Sequence, residues 1–285
     1  MFAIIGLIVV FGGVIGGFVM EGGAVMVLFQ PAEFVVIGGA AIGSLLVMTP
    51  LKTIKQMVPQ ITKVFGSGPT KKQFTDLLVM MYEIFNVARK DGLVGLESHI
   101  EKPHESTILK KYPAFLKDHH AVHFFSDTMR VIITGAISAQ DLEALMDLDL
   151  ETHHEETEKP AESIQTAGDS LPGFGIVAAV LGIIITMGAV GGPPEEIGHK
   201  VAAALVGTFL GILLCYGMFQ PIAKNIQTLN AESGKYYMCL KQGMLGFQKG
   251  FAASIAVEFA RRAIFASSRP SFEEVENACR QTKQK

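Results

Sequence analysis

Charge is scarce in this sequence, and it is missing altogether from four long apolar stretches. Phe2–Met20, Phe34–Thr49, Leu171–Val190 and Val201–Gln220 contain no Asp, Glu, Lys, Arg or His. Charged residues make up 18 % of the chain, against roughly 25 % in soluble domains. Hydrophobic residues reach 49 % and are clumped, the distribution of a membrane protein with a soluble part, not of a globular enzyme. A net charge of -3 gives no footprint for nucleic acid. Cys215, Cys239 and Cys279 are too widely spaced for a metal or redox motif. There is no glycine-rich phosphate loop, HExxH, GxSxG or acid pair in an obvious pocket, so neither catalysis nor a cofactor is expected. His153 and His154 are adjacent, and neighbours on a helix point about 100° apart. With His99, His104, His119, His120 and His123 they read as surface residues. No basic residue precedes the first apolar stretch, as a cleavable leader would require, so Phe2–Met20 is expected to be retained as a membrane span.

The stretches that are present each approach the roughly 20 residues needed to cross a bilayer. Glycines recur at four-residue spacing in the first two: Gly12 with Gly16, Gly13 with Gly17, Gly39 with Gly43. Such faces let membrane helices approach closely. In the fourth, the hydroxyl of Thr208 stands between Gly207 and Gly211. Lys52, Lys55, Lys63, Lys71 and Lys72 follow the second stretch, and Lys224, Lys235, Lys241 and Lys249 follow the fourth. The turns Glu21–Glu33 and Gly191–Lys200 are short and mainly acidic. By the positive-inside rule the lysine-rich sides are cytoplasmic, as are both termini.

The expected fold is therefore all-α. Residues 1–50 hold spans one and two, 51–169 a large helical cytoplasmic insertion, 170–222 spans three and four, and 223–285 a helical cytoplasmic tail. Within the insertion, Phe74, Leu77, Leu78, Met81, Phe85 and Ala88 recur at helical spacing and Asp91-Gly92 ends the run. A second amphipathic helix is expected over His119–Thr134. A third opens at Ser138, which can cap with Asp141 at the fourth place. Further helices are expected over Phe251–Ala266 and Ser271–Gln281.

A chain that moves ions alone is expected to carry an ionisable residue in a span. These four carry none. Either the spans form a scaffold whose small residues only mediate packing, or they form a shell around a partner helix that brings the titrating group.

The run Ala204-Leu205-Val206-Gly207-Thr208-Phe209-Leu210-Gly211-Ile212-Leu213, then seven residues and Pro221, resembles the signature of the MotA family of flagellar stator proteins. Gly168–Gly182, Phe29–Ala40 and Ala256–Phe272 are similar to other segments of that family, and the resemblance covers essentially the whole chain. It implies a four-span subunit, with five copies around two copies of a MotB partner whose single span carries an ion-binding aspartate. Ion flow would turn the ring, and the cytoplasmic domain would push on the rotor protein FliG. The resemblance also assigns residues. Pro172 and Pro221 match prolines linked to conformational change, which by pattern alone could equally mark helix boundaries. Arg89 and Glu97 match rotor-facing charges, with Lys90 and Asp91 beside Arg89. Thr208 matches a threonine near the ion path. Ala179 stands where sodium-driven members usually have a second threonine, and a methyl cannot ligate sodium, so proton coupling is expected. The related ExbB/TolQ proteins have three spans against the four here. A secondary transporter is disfavoured because no charged or broken-helix substrate site appears.

Overall fold

The structure, a computed structural model, describes residues 2–282 and contains no strand among them. Residues 1 and 283–285, the ends of the first and last expected segments, lie outside the described residues. Two compact units divide the chain. The first runs to Ser67 and takes up again over Glu156–Leu229; the second covers Gly68–Glu155 and resumes at Asn230.

In the first unit, α1 (Phe2–Met20) is apolar around its whole circumference and buries no residue within the chain. Phe2 is 85 % exposed and Ile8 65 %, as lipid-facing side chains would be. A 3-10 turn, Val25–Leu28, leads to α2 (Pro31–Met48). Pro31 takes the first helical position, where its missing N–H costs nothing. The small faces of α1 and α2 are not closed inside the chain: Gly12, Gly13, Gly16, Gly17, Gly39 and Gly43 have open space where a Cβ would stand. After Pro50 comes α3 (Leu51–Lys63), a helix that the sequence pattern did not single out. Its Gln60 donates through Nε2 to the carbonyl of Thr157 at 2.9 Å. Met57, Ala161, Ile164, Ala223 and Ile226 pack together around it.

The second unit is a helical bundle. Thr70 caps α4 (Lys71–Asp91) with a reciprocal box to Gln73, and Gly92 ends it at φ +75°. A 3-10 turn, Leu93–Leu96, leads into α5 (Glu97–Glu101). A second such turn and α6 (Pro113–Lys117) come next. Asp118 caps α7 (His119–Thr134), whose bounds coincide with the expected ones. Ser138 Oγ accepts from the Asp141 backbone N–H at 3.1 Å, as expected, and opens α8 (Ala139–Met187). The chain returns through α9 (Pro194–Leu214), a π-helical segment Cys215–Phe219, and α10 (Gln220–Gln248). It ends in α11 (Ala253–Arg262) and α12 (Phe272–Thr282). Two of the unit boundaries fall inside α8 and α10, and the third lies between α3 and α4.

The C-terminal helices are not an appendage, because α11 and α12 pack on α4. Phe85 of α4 stacks on Phe247 of α10 at 4.7 Å between ring centroids. Phe74, Met81, Phe125, Leu240, Ala256 and Val275 belong to one core. Three of the histidines are not plain surface groups: half-buried His99 lies with its Nδ1 2.8 Å from the Ser106 hydroxyl oxygen, and the other two pair with each other. His120 and His153 stack ring on ring at 3.5 Å, and both meet the Tyr237 ring edge-on. Tyr237 donates its hydroxyl to Asp118 Oδ2 at 3.0 Å. Helix periodicity places side chains on one helix face, and this pairing joins three different helices.

Candidate functional site

The third and fourth apolar stretches meet as an antiparallel pair, α8 against α9, closed by small residues. A Cβ on Gly175 would stand 2.7 Å from the Gly207 carbonyl oxygen, and one on Gly211 would stand 2.5 Å from that of Leu171. Farther along, Gly182 lies against Ala204. The glycines are thus what lets these two backbones approach. Thr208 lies half-buried on this seam, its hydroxyl directed at the Gly175 carbonyl at 3.5 Å. That distance is at the outer limit of a hydrogen bond, so the hydroxyl remains available to another acceptor or donor. Ala179 is also half-buried, one residue past the fully buried Ala178.

Neither Pro172 nor Pro221 ends a helix. Pro172 lies inside α8, and Pro221 is the second residue of α10. Proline lacks the N–H that would bond four residues back, and its ring crowds that carbonyl. For Pro221 that residue is Gly217, inside the π-helical segment, where the wider turn makes room. For Pro172 it is Gly168, whose backbone lies so close to Phe219 that a Cβ would stand 2.6 Å from the phenylalanine Cβ. Gln220 Nε2 donates to Asp169 Oδ1 at 2.7 Å. The two proline turns therefore sit opposite each other across one helix pair, an arrangement their 49-residue separation in the chain does not reveal.

One acid was missed. Because α2 begins at Pro31, Glu33 belongs to the helix and not to the preceding turn. It is 8 % exposed, and its Oε2 is buried without a hydrogen-bond partner among the described residues. That oxygen lies over Gly207, in the place a Cβ would fill. The signal for its helical position is the proline at the first turn of α2, read with the acid two residues on.

In the other unit, Arg89 and Lys90 occupy the exposed last turn of α4, and Glu97 opens α5. None of the three makes an ion pair or a side-chain hydrogen bond among the described residues. Other charges of the bundle are engaged: Arg130 with Glu101 at 2.7 Å, Lys111 with Glu83 at 2.9 Å, and the nearly buried Lys241 with Asp147 at 2.6 Å. Gly92 and the 3-10 turn bring Arg89, Lys90 and Glu97 to either end of one short connection.

Residues 4–92 match the family described as motility protein A N-terminal, and residues 117–237 match the MotA/TolQ/ExbB proton channel family. The chain is 43 % identical to motility protein A of Escherichia coli (strain K12), over 99 % of this chain and 96 % of the relative. In fold it is similar to a MotAB structure from C. jejuni, with a TM-score of 0.76 over 94 % of this chain and 98 % of the other, at 21 % identity. The flagellar MotAB stator complex of Bacillus subtilis gives 0.74 over 97 % and 98 %, at 23 % identity. With four helices long and apolar enough to cross a membrane, and with similarity running nearly end to end, the chain belongs to the motility protein A family.

Proposed function

We propose that this chain is a flagellar motor stator subunit which, with a MotB partner, forms a proton channel in the bacterial inner membrane and converts ion flow into torque on the rotor. The observation that carries this reading is the α8–α9 seam: Thr208 on a close-packed, glycine-closed helix pair, in a chain similar over its length to motility protein A. The protein acts by moving protons and changing shape, not by catalysing a reaction.

In the reading proposed, the single-span partner brings the aspartate that takes up and releases the proton, beside Thr208 and Ala179. A methyl at Ala179 offers no oxygen to a sodium ion, which favours the proton. Charging and neutralising that acid changes what the adjoining helices must solvate. The facing turns at Pro172 and Pro221 each lack a backbone hydrogen bond, so they are places where the helices can flex. Arg89, Glu97 and Lys90 then present unpaired charge to the rotor protein FliG. Exposed pairs formed there contribute about 0–1 kcal/mol each, weak enough for reversible stepping. Five copies would surround the partner. The lysines that follow α2 in α3, and those spread along α10, support cytoplasmic termini. On that topology 1–50 and 170–222 are the membrane segments, while 51–169 and 223–285 are cytoplasmic.

The test is rotation of tethered cells that lack only this chain. Rescue that is abolished by a proton uncoupler and indifferent to sodium is expected. Unaffected rotation with an outer-membrane uptake defect would favour an ExbB/TolQ-like role instead. Sodium-dependent, uncoupler-resistant rotation would overturn the argument from Ala179.

A further inference from the structure

Glu33 is unusual in two ways. It is an acid inside a membrane-length helix, and its carboxyl is folded inward. The segments around it offer no countercharge. Gly207 and its neighbours Val206 and Leu210 on α9, and Ala178 on α8, are apolar. So is the Val25–Leu28 turn, which packs on α9. Neither α1 nor the rest of α2 carries an ionisable side chain. Farther along these elements stand Glu21 after α1, Asp169 on α8, Glu195, Glu196, His199 and Lys200 at the start of α9, and the Cys215 thiol after its end. Asp169 already accepts from Gln220, and Lys200 is paired with Glu196 at 2.9 Å. An unpartnered carboxylate in such a setting is a site for a small cation, and the smallest is the proton.

Its depth matters. Thirteen helical steps separate Pro194 from Gly207, about 20 Å at 1.5 Å per residue. The first turn of α2 therefore lies well below the α8–α9 turn, level with Thr208. Glycine at 207 makes the close approach possible, since any Cβ there would occupy the carboxylate's position. Glu33 and the Thr208 hydroxyl thus flank the same glycine.

We propose that Glu33 is a proton-binding relay on this chain, placed beside the ion path at the level of Thr208. The carboxylate takes a proton from hydronium, leaving water. It then gives that proton to the acid brought by the partner and returns to the carboxylate. This rests on the stator reading above, and it adds a second acid to a path for which that reading needs only the partner's.

Two measurements on the full chain with its partner test it. The first is tethered-cell rotation across external pH, at matched membrane levels and matched recovery of partner. Glu33→Gln is expected to slow rotation by roughly tenfold or more, the scale of losing a proton-transfer group, while Glu33→Asp keeps most of the speed. Wild-type speed and pH response in Glu33→Gln would overturn the proposal. The second is infrared difference spectroscopy of the purified complex in lipid as pH is stepped. A titrating carboxylic C=O band that vanishes in Glu33→Gln and moves in Glu33→Asp is expected. A spectrum unchanged by both substitutions would overturn the proposal. Because the infrared band reports Glu33 whether or not the ring turns, a wild-type chain that failed to drive rotation would strike the stator reading alone.

Discussion

Replacing Gly211 with alanine should separate α8 from α9, and the structure sets the scale. The new Cβ would stand 2.5 Å from the Leu171 carbonyl oxygen and 3.1 Å from the Gly175 Cα, whereas ordinary contact begins at 3.4 Å. About 0.9 Å must therefore be found between the new Cβ and the Leu171 oxygen, from 2.5 Å to 3.4 Å. The obstructing atoms are backbone, so no side chain can turn away, and the helix axes themselves must part. Overpacking of this kind costs about 1–3 kcal/mol, partly offset by the helix preference of alanine over glycine, about 1 kcal/mol. Parting the seam also moves Thr208 away from Gly175. The expected outcome is a lower melting temperature of the complex in lipid nanodiscs, and slow or absent rotation at normal membrane levels. Gly234→Ala is the matched control, since its Cβ meets nothing within 4 Å, and it should melt no lower than wild type. If Gly211→Ala melts and rotates like the control, the seam is not closed by glycine and the account of the α8–α9 pair is wrong.

Thr208→Val keeps the side chain's shape and loses its hydroxyl. Because the bond to Gly175 is 3.5 Å long, stability should change by only about 0.5 kcal/mol, while rotation slows; Thr208→Ser should recover it, and equal speeds for all three would remove the hydroxyl from the ion path. Arg89→Glu and Glu97→Lys break no pair within the chain, so melting should shift by less than about 0.5 kcal/mol, yet torque should fall in bead assays under load. A large loss of stability would instead mean that these charges are structural. Glu258 accepts from Arg261 at 2.7 and 2.9 Å and from Arg262 at 2.7 Å. The hydrogen bonds from Arg261, with those from Arg262, hold its carboxyl at about 2, against an ordinary 4.5. The depressed value means that the stabilisation is present above pH 4.5 and is lost as pH falls from 4.5 toward 2. It amounts to at most about 3 kcal/mol. Glu258→Gln should lower stability at neutral pH and flatten that acid limb in a pH series of melting curves; an unaltered limb would refute the pairing.

Helix content and the number of spans were legible because both are local properties. A run of about 20 apolar residues is helical in lipid whatever it touches, since its backbone must satisfy itself. Amphipathic spacing likewise marked α4 and α7, and Ser138 with Asp141 marked the start of α8. The resemblance singled out Thr208, Pro172, Pro221, Arg89 and Glu97, since those residues lie in contiguous motifs. Local pattern misjudged how far helices run. The helix of Leu171–Val190 begins at Ala139 and passes through Pro160 and Pro172, because neighbouring helices hold a backbone that proline alone would interrupt.

Tertiary structure alone decided the rest. Which small-residue faces close inside the chain could not be read from spacing: Gly12 and Gly16 stay open, whereas Gly175, Gly207 and Gly211 bring two backbones together. Nor could spacing show that α11 and α12 complete the core begun by α4. Composition said that the four apolar spans lack an acid, and the fold carried Glu33 in beside Gly207. A sequence determines what each segment can bury, whereas the partner it is buried against depends on contacts between residues far apart in the chain.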